Sequence, residues 1–144
     1  MASDLHPSSS EEQRKAEVSI RLALARHLGE VFSEPPPALK GLELDAFAPG
    51  PPPVLVEIFA HVGRSKSGQQ RKVSRDMTKL LLAERKLGQA CRKVVAVIDP
   101  AAIAHCANGW DGEFARAFDI ELCVVTVDEE LHATVTAAQK RQFR

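Results

Sequence analysis

Asp45 and Glu57 are the residues whose types and spacing point most directly to chemistry. They sit in two alternating segments, LELDAF and VLVEIFAHV, separated by the proline-rich stretch Pro49 to Pro53. Such a stretch cannot lie inside a helix or a central strand. Leu42, Leu44 and Ala46 share one face of the first segment; Val56, Ile58 and Ala60 share one face of the second. An antiparallel hairpin centred on Pro51 sets Ala48 opposite Val54, Phe47 opposite Leu55, Ala46 opposite Val56 and Asp45 opposite Glu57. A one-residue slip would mix the two faces, so the pattern selects this register. Like charges directly opposite each other destabilise a sheet. A bound divalent cation would relieve them, since magnesium often takes one or two carboxylates and keeps its waters. The other reading is a solvated outer face on which the two acids diverge. Phe47, Leu55 and Phe59 share the Glu57 face and make it unusually apolar for a wet surface.

A basic stretch follows. Ten Lys/Arg lie between Arg64 and Lys93, against only Asp76 and Glu84, in a chain of zero net charge. On a helix, Lys72, Arg75, Lys79 and Lys86 fall within an arc of about 60°. Val73, Met77, Leu80 and Leu87 cluster elsewhere and would pack on a sheet, with Glu84 interrupting that apolar side. A basic helix face beside a metal-binding acid pair is what phosphodiester binding and cleavage need: cations neutralise phosphates, and a metal activates water. A solvated charged face is the plainer alternative.

These residues must be positioned by the surrounding elements. Residues 1–12 are small and polar and read as a disordered tail; residues 13–144 read as one domain. Val18, Leu22, Ala25, Leu28 and Phe32 recur at helical spacing up to Pro35–Pro37. A helix is predicted from about Gly68 to Leu87, stopped by Gly88. Val94 to Ile98 is a continuous apolar run suited to a central strand covered on both faces. Short helices fit 101–106 and 113–118, a second strand 120–127 and a final helix 129–143. The order is α/β with a mixed sheet flanked by helices.

Composition narrows the partners. The chain has 144 residues, 26% charged and 44% hydrophobic, enough for one core without staples. Neutral balance excludes a globally basic coat protein. No apolar run is long enough to span a membrane. Three widely spaced cysteines without a CxxC or metal spacing read as reduced thiols in the cytoplasm. Aromatic residues are 5%, with no tyrosine, so base-stacking platforms have little to work with.

The element order and the two acids together resemble the PD-(D/E)XK nuclease superfamily, the restriction-endonuclease-like fold, over roughly Val18 to Val127. The family's core is a helix, a three-strand meander, a helix and a strand, with an aspartate on one meander strand and E-x-K on the next. Asp45 matches the aspartate and Glu57 the glutamate. The resemblance implies a metal-dependent nuclease using magnesium or manganese, with Glu30 as an additional acidic ligand. The lysine expected two residues after the glutamate is Phe59 here. Some members move it to the following helix; Lys72 is the first choice for that role, then Lys66 and Lys79. The nucleic-acid contacts, to DNA or RNA, fall to Lys66, Gln70, Lys72, Arg75 and Lys79. The replaced lysine supports an alternative, a catalytically inactive nuclease-like domain that binds nucleic acid or a protein partner. An unrelated small α/β protein with an acidic hairpin is a third reading. A homodimer is compatible with all three.

Other residues carry weaker signals. His61 alternates onto the Glu57 face, where it either serves the chemistry or ends the strand with a local hydrogen bond. Gln69 and Gln70 open the basic helix, near its phosphate-accessible end. The loop Gly63 to Gly68 lacks the glycine spacing of a Walker loop.

Overall fold

Helices and strands alternate along the residues that the computed structural model describes, 7–142. Helix α1 spans Pro7–Leu28 and strands β1 and β2 span Ala46–Ala48 and Val54–Phe59. Helix α2 (Ser67–Leu87) leads to β3 (Arg92–Val97), then a 3-10 segment (Pro100–Ala107) and α3 (Trp110–Ala117). Strand β4 (Ile120–Val124) and helix α4 (Glu129–Gln142) complete the order. The sheet runs β1-β2-β3-β4, with β1 antiparallel to β2 and the other pairs parallel. The protein is therefore α/β, with a four-stranded mixed sheet flanked by helices.

The hairpin takes the register expected from alternation: Ala46 pairs with Val56, Phe47 with Leu55 and Ala48 with Val54. Gly50 turns the proline loop at φ +70°, where a Cβ would collide with the Pro52 carbonyl. On one face of the sheet, Phe47, Leu55, Phe59, Val95 and Val97 pack against Val73, Met77 and Leu80 of α2. On the other, Ala46, Val54, Val56, Val94 and Ala96 pack against Leu24 of α1. Cover on both faces is why β3 reads as an unbroken apolar run. Helix α2 stops at Gly88, whose φ of +67° and N–H to the Glu84 carbonyl (3.1 Å) form the cap.

Several expectations need correction. The first alternating segment is strand only over Ala46–Ala48: Glu43 takes a left-handed φ of +53°, and Leu42 and Leu44 pack with the α2-side core while Ala46 packs on the α1 side, so the three do not share a face. The strand expected over 120–127 ends at Val124. Residues 7–12, read as tail, are helical, while residues 1–6 lie outside the described residues. Helix α1 ends at Leu28, before the prolines and before Phe32, because Gly29 turns left-handed (φ +68°) and the Glu30 N–H bonds back to the Ala25 carbonyl at 3.0 Å. Its buried stripe is Ala16, Ile20 and Leu24, whereas Val18 and Leu22 are 54% and 58% exposed. The helix is apolar on two sides, and contact with Val135 of α4 and Ile98 selects the Ala16–Ile20 side.

Glu84 also finds its reason. It accepts from Lys93 Nζ at 2.7 Å and from the Cys91 N–H at 2.8 Å. Lys93 is buried in the sheet, so the acid on the apolar side of α2 compensates a buried ammonium. Among the described residues no helix is long and apolar enough to cross a membrane.

Candidate active site

The β1–β2 hairpin brings the two acids together at the C-terminal end of β2. The Asp45 N–H donates to Glu57 Oε2 at 2.9 Å, and the Ile58 N–H donates to Asp45 Oδ2 at 2.7 Å. The Asp45 carboxylate is thus held by the backbone of β2, and the Glu57 carboxylate by the residue just before β1. Asp45 is exposed at the mouth, while Glu57 lies under α2 and is 2% exposed.

Lys79 reaches down from α2 to this pair. Its ammonium lies 2.7 Å from Glu57 Oε1 and donates to the Glu43 carbonyl at 2.9 Å. Burial nevertheless pushes the Glu57 carboxyl up to about 7, helped by the Asp45 charge and opposed by the Lys79 hydrogen bond. The cation that relieves the two facing acids in this structure is a lysine, and Glu57 has protein donors on both oxygens.

About two turns earlier on α2, Lys72 bonds to Asp76 Oδ2 at 2.9 Å and lies 5.8 Å from the centre of the Phe59 ring. Asp76 is itself buried, and burial raises its carboxyl above the ordinary range against the pull of Lys72. The Asp45 charge raises it further. Phe59, at the expected lysine position, stacks on His61 with ring centres 5.4 Å apart. His61 is buried, and its Nε2 lies 3.2 Å from the Arg64 carbonyl, the local bond of a strand end.

The remaining site residues separate into two groups. Lys66 and Arg75 are exposed on the α2 side. Lys66 caps α2, its N–H bonded to Gln69 Oε1 at 2.7 Å, and the Gln70 amide is tied to the Ser65 carbonyl at 3.0 Å. Glu30 does not join the acids: it follows α1, on the other side of the sheet, and its charge acts on Arg92 at the start of β3. Among the described residues no three of His, Cys, Asp and Glu come together as a ligand cluster.

Sequence reasoning missed Asp76 and placed Lys79, together with Lys66, behind Lys72. Asp76 had one available signal, an acid four residues after Lys72 inside a basic run. It also could not foresee that Cys106 Sγ lies 3.6 Å from His105 Nε2, with Asp111 on that same nitrogen at 3.4 Å and Ser74 on Asp111 at 2.8 Å. Burial, then the Asp111 charge, pushes the Cys106 thiol up to about 11, which favours the neutral thiol. The Ser74–Asp111 bond ties α3 to α2.

A cleft of about 660 Å³ opens beside Asp45, between the end of β2 and helices α1 and α4. Asp45, Phe59, His61, Gln69 and Lys72 line it. The chain matches no known family, no curated protein and no solved structure.

Proposed function

We propose that the chain is a metal-dependent phosphodiester hydrolase of restriction-endonuclease-like fold, acting on nucleic acid in the cytoplasm. The observation that carries this reading is Lys79 on Glu57 at 2.7 Å, with Asp45 bonded to the same carboxylate. An acid, an acid and a lysine gather at one point although the lysine comes from α2 rather than from β2. The order helix, antiparallel strands, helix, parallel strand supports the fold reading. The chain after α1 adds one further edge contact, the Ser33 N–H to the Phe47 carbonyl at 2.8 Å, alongside β1.

Asp45 and Glu57, hard carboxylate ligands of the kind such ions take, would hold a magnesium or manganese ion, with Lys79 yielding its place on Glu57 Oε1 or sharing that carboxylate. Such an ion, when bound, lowers the pKa of its water and stabilises the leaving oxygen. Lys79 holds positive charge at Glu57 and would orient water in the proposed reaction. Lys72 and Gln69 face the cleft and would hold the phosphate.

Cleavage of DNA and RNA, single- and double-stranded, with and without magnesium or manganese tests the proposal. Divalent-dependent hydrolysis lost in Asp45→Asn supports it. A second reading is a binding-only domain, favoured by the protein donors on both Glu57 oxygens. Nucleic-acid binding without hydrolysis, and a melting temperature that no divalent ion moves, would select that reading.

A further inference from the structure

The cleft beside Asp45 has a shape and lining that bear on what enters it. Its floor is apolar, formed by Ile20, Ile58, Phe59, Val135 and Ala138. Its rim carries Arg14 and Arg21 from α1 and Lys72 from α2, against Glu17 and Asp45. A second hollow of about 420 Å³ adjoins it through the shared residues His61, Gln69 and Gln139. There the charged lining is Arg64, Lys66 and Lys140, with no acid. The two hollows together present six cations and two acids along one track past the start of α2.

A volume of this size encloses a small organic group between side chains. The body of a duplex is too bulky to enter it. Enzymes that act inside such a pocket work on single strands or turn a nucleotide out of the stack. An apolar slot for one base with cations continuing beyond it suits an unpaired strand, whose phosphates would follow the second hollow.

We infer that the cleft receives one unpaired nucleotide of a single-stranded nucleic acid, with the adjoining phosphates running over Arg64, Lys66 and Lys140. The inference rests on the proposed phosphodiester site and names its substrate class. Basic helix α2 alone would favour a duplex, which has the higher charge density. The cleft favours the strand, because only an unpaired base reaches its floor at the partly exposed Ile58.

The test is anisotropy of a fluorescent oligothymidylate bound to the full chain at low salt in EDTA, competed by unlabelled strand or by relaxed, covalently closed circular duplex. The expected result is that the strand competes about tenfold better per nucleotide than the circle. Arg14→Glu with Arg21→Glu should weaken strand binding about tenfold. The same pair should weaken circle binding much less than strand binding and leave the circular dichroism spectrum unchanged, both residues being exposed. Equal competition by the circle, or strand binding unchanged in the α1 pair, overturns the inference. Strand binding without hydrolysis in magnesium supports the inference while the hydrolase reading fails. Hydrolysis of closed circles as fast as of single strands supports the hydrolase and overturns the inference. Binding of neither polymer overturns both.

Discussion

Lys79 Nζ lies 2.7 Å from Glu57 Oε1, twenty-two residues away in sequence, while Phe59, two residues from Glu57, turns its ring to His61 and Lys72. The positive charge at Glu57 is therefore delivered by the helix and not by the strand. Lys79→Ala should lower divalent-dependent hydrolysis by about 10²-fold or more, the range of a lost proton-transfer or water-orienting group. Lys72→Ala should cost less, because Lys72 meets Asp76 and not Glu57. Single-turnover rates for the two variants decide between them, and an unchanged rate in Lys79→Ala would remove the lysine from the mechanism.

Asp45 and Glu57 make a second prediction through stability. A cation that binds only the folded state raises the melting temperature by mass action. Magnesium or manganese should do so for the parent and not for Asp45→Asn. The metal-free variant should be equally or more stable than the parent. Repulsion with Glu57 is relieved, and the Asn oxygen can still accept from the Ile58 N–H. Calorimetry with and without the ion measures both. A melting curve that no ion moves in the parent would sink the metal site.

Much of this site is legible in the sequence, for local reasons. The register next to the proline loop follows from alternation, Ala46–Ala48 against Val54–Val56, so Asp45 and Glu57 meet where expected, although Leu42 and Leu44 do not continue that face. The choice of lysine is not legible. Lys72, Arg75, Lys79 and Lys86 share one arc, and periodicity gives no height of the helix along the sheet. Only the packed position of Val73, Met77 and Leu80 on the Glu57 face sets Lys79 above that carboxylate. Asp76 falls between the basic and apolar arcs, where spacing assigns it to neither. In α1, two apolar stripes compete and α4, distant in sequence, settles which is buried. Glu30 is placed near the site by chain order alone, and Gly29 ends the helix before that order can be used.

The Glu84–Lys93 pair ties α2 to β3 at 2.7 Å, with the Lys93 side chain 6% exposed. Removing the acid leaves an ammonium buried without its partner. Glu84→Ala should destabilise by about 3 kcal/mol, the scale for breaking a buried pair. Lys93→Met with Glu84→Gln should recover most of that loss, because no buried charge remains. Urea unfolding of the single and double variants measures both. Equal loss in the single and double variants would show that packing, not the ion pair, sets the cost.

Glu57 links protonation to folding and to the ion. Burial first, then the Asp45 charge, lifts its carboxyl from 4.5 to about 7, even with Lys79 in contact. A group whose folded value lies above its unfolded value binds more protons when folded. Its contribution is therefore fully present below the unfolded value of 4.5 and is lost as pH rises through about 7. The stability of the parent relative to Glu57→Gln should fall across that window and level off above it. Metal binding should show the opposite trend, since the ion needs the carboxylate and must displace its proton. Affinity for magnesium or manganese should weaken as pH drops below about 7, by up to tenfold per pH unit for one released proton. Unfolding curves and ion titrations at several pH values test both directions on the same preparation. A stability difference between parent and Glu57→Gln that is flat with pH would mean that Lys79 keeps Glu57 ionised throughout, and the pH dependence of ion binding should then vanish with it.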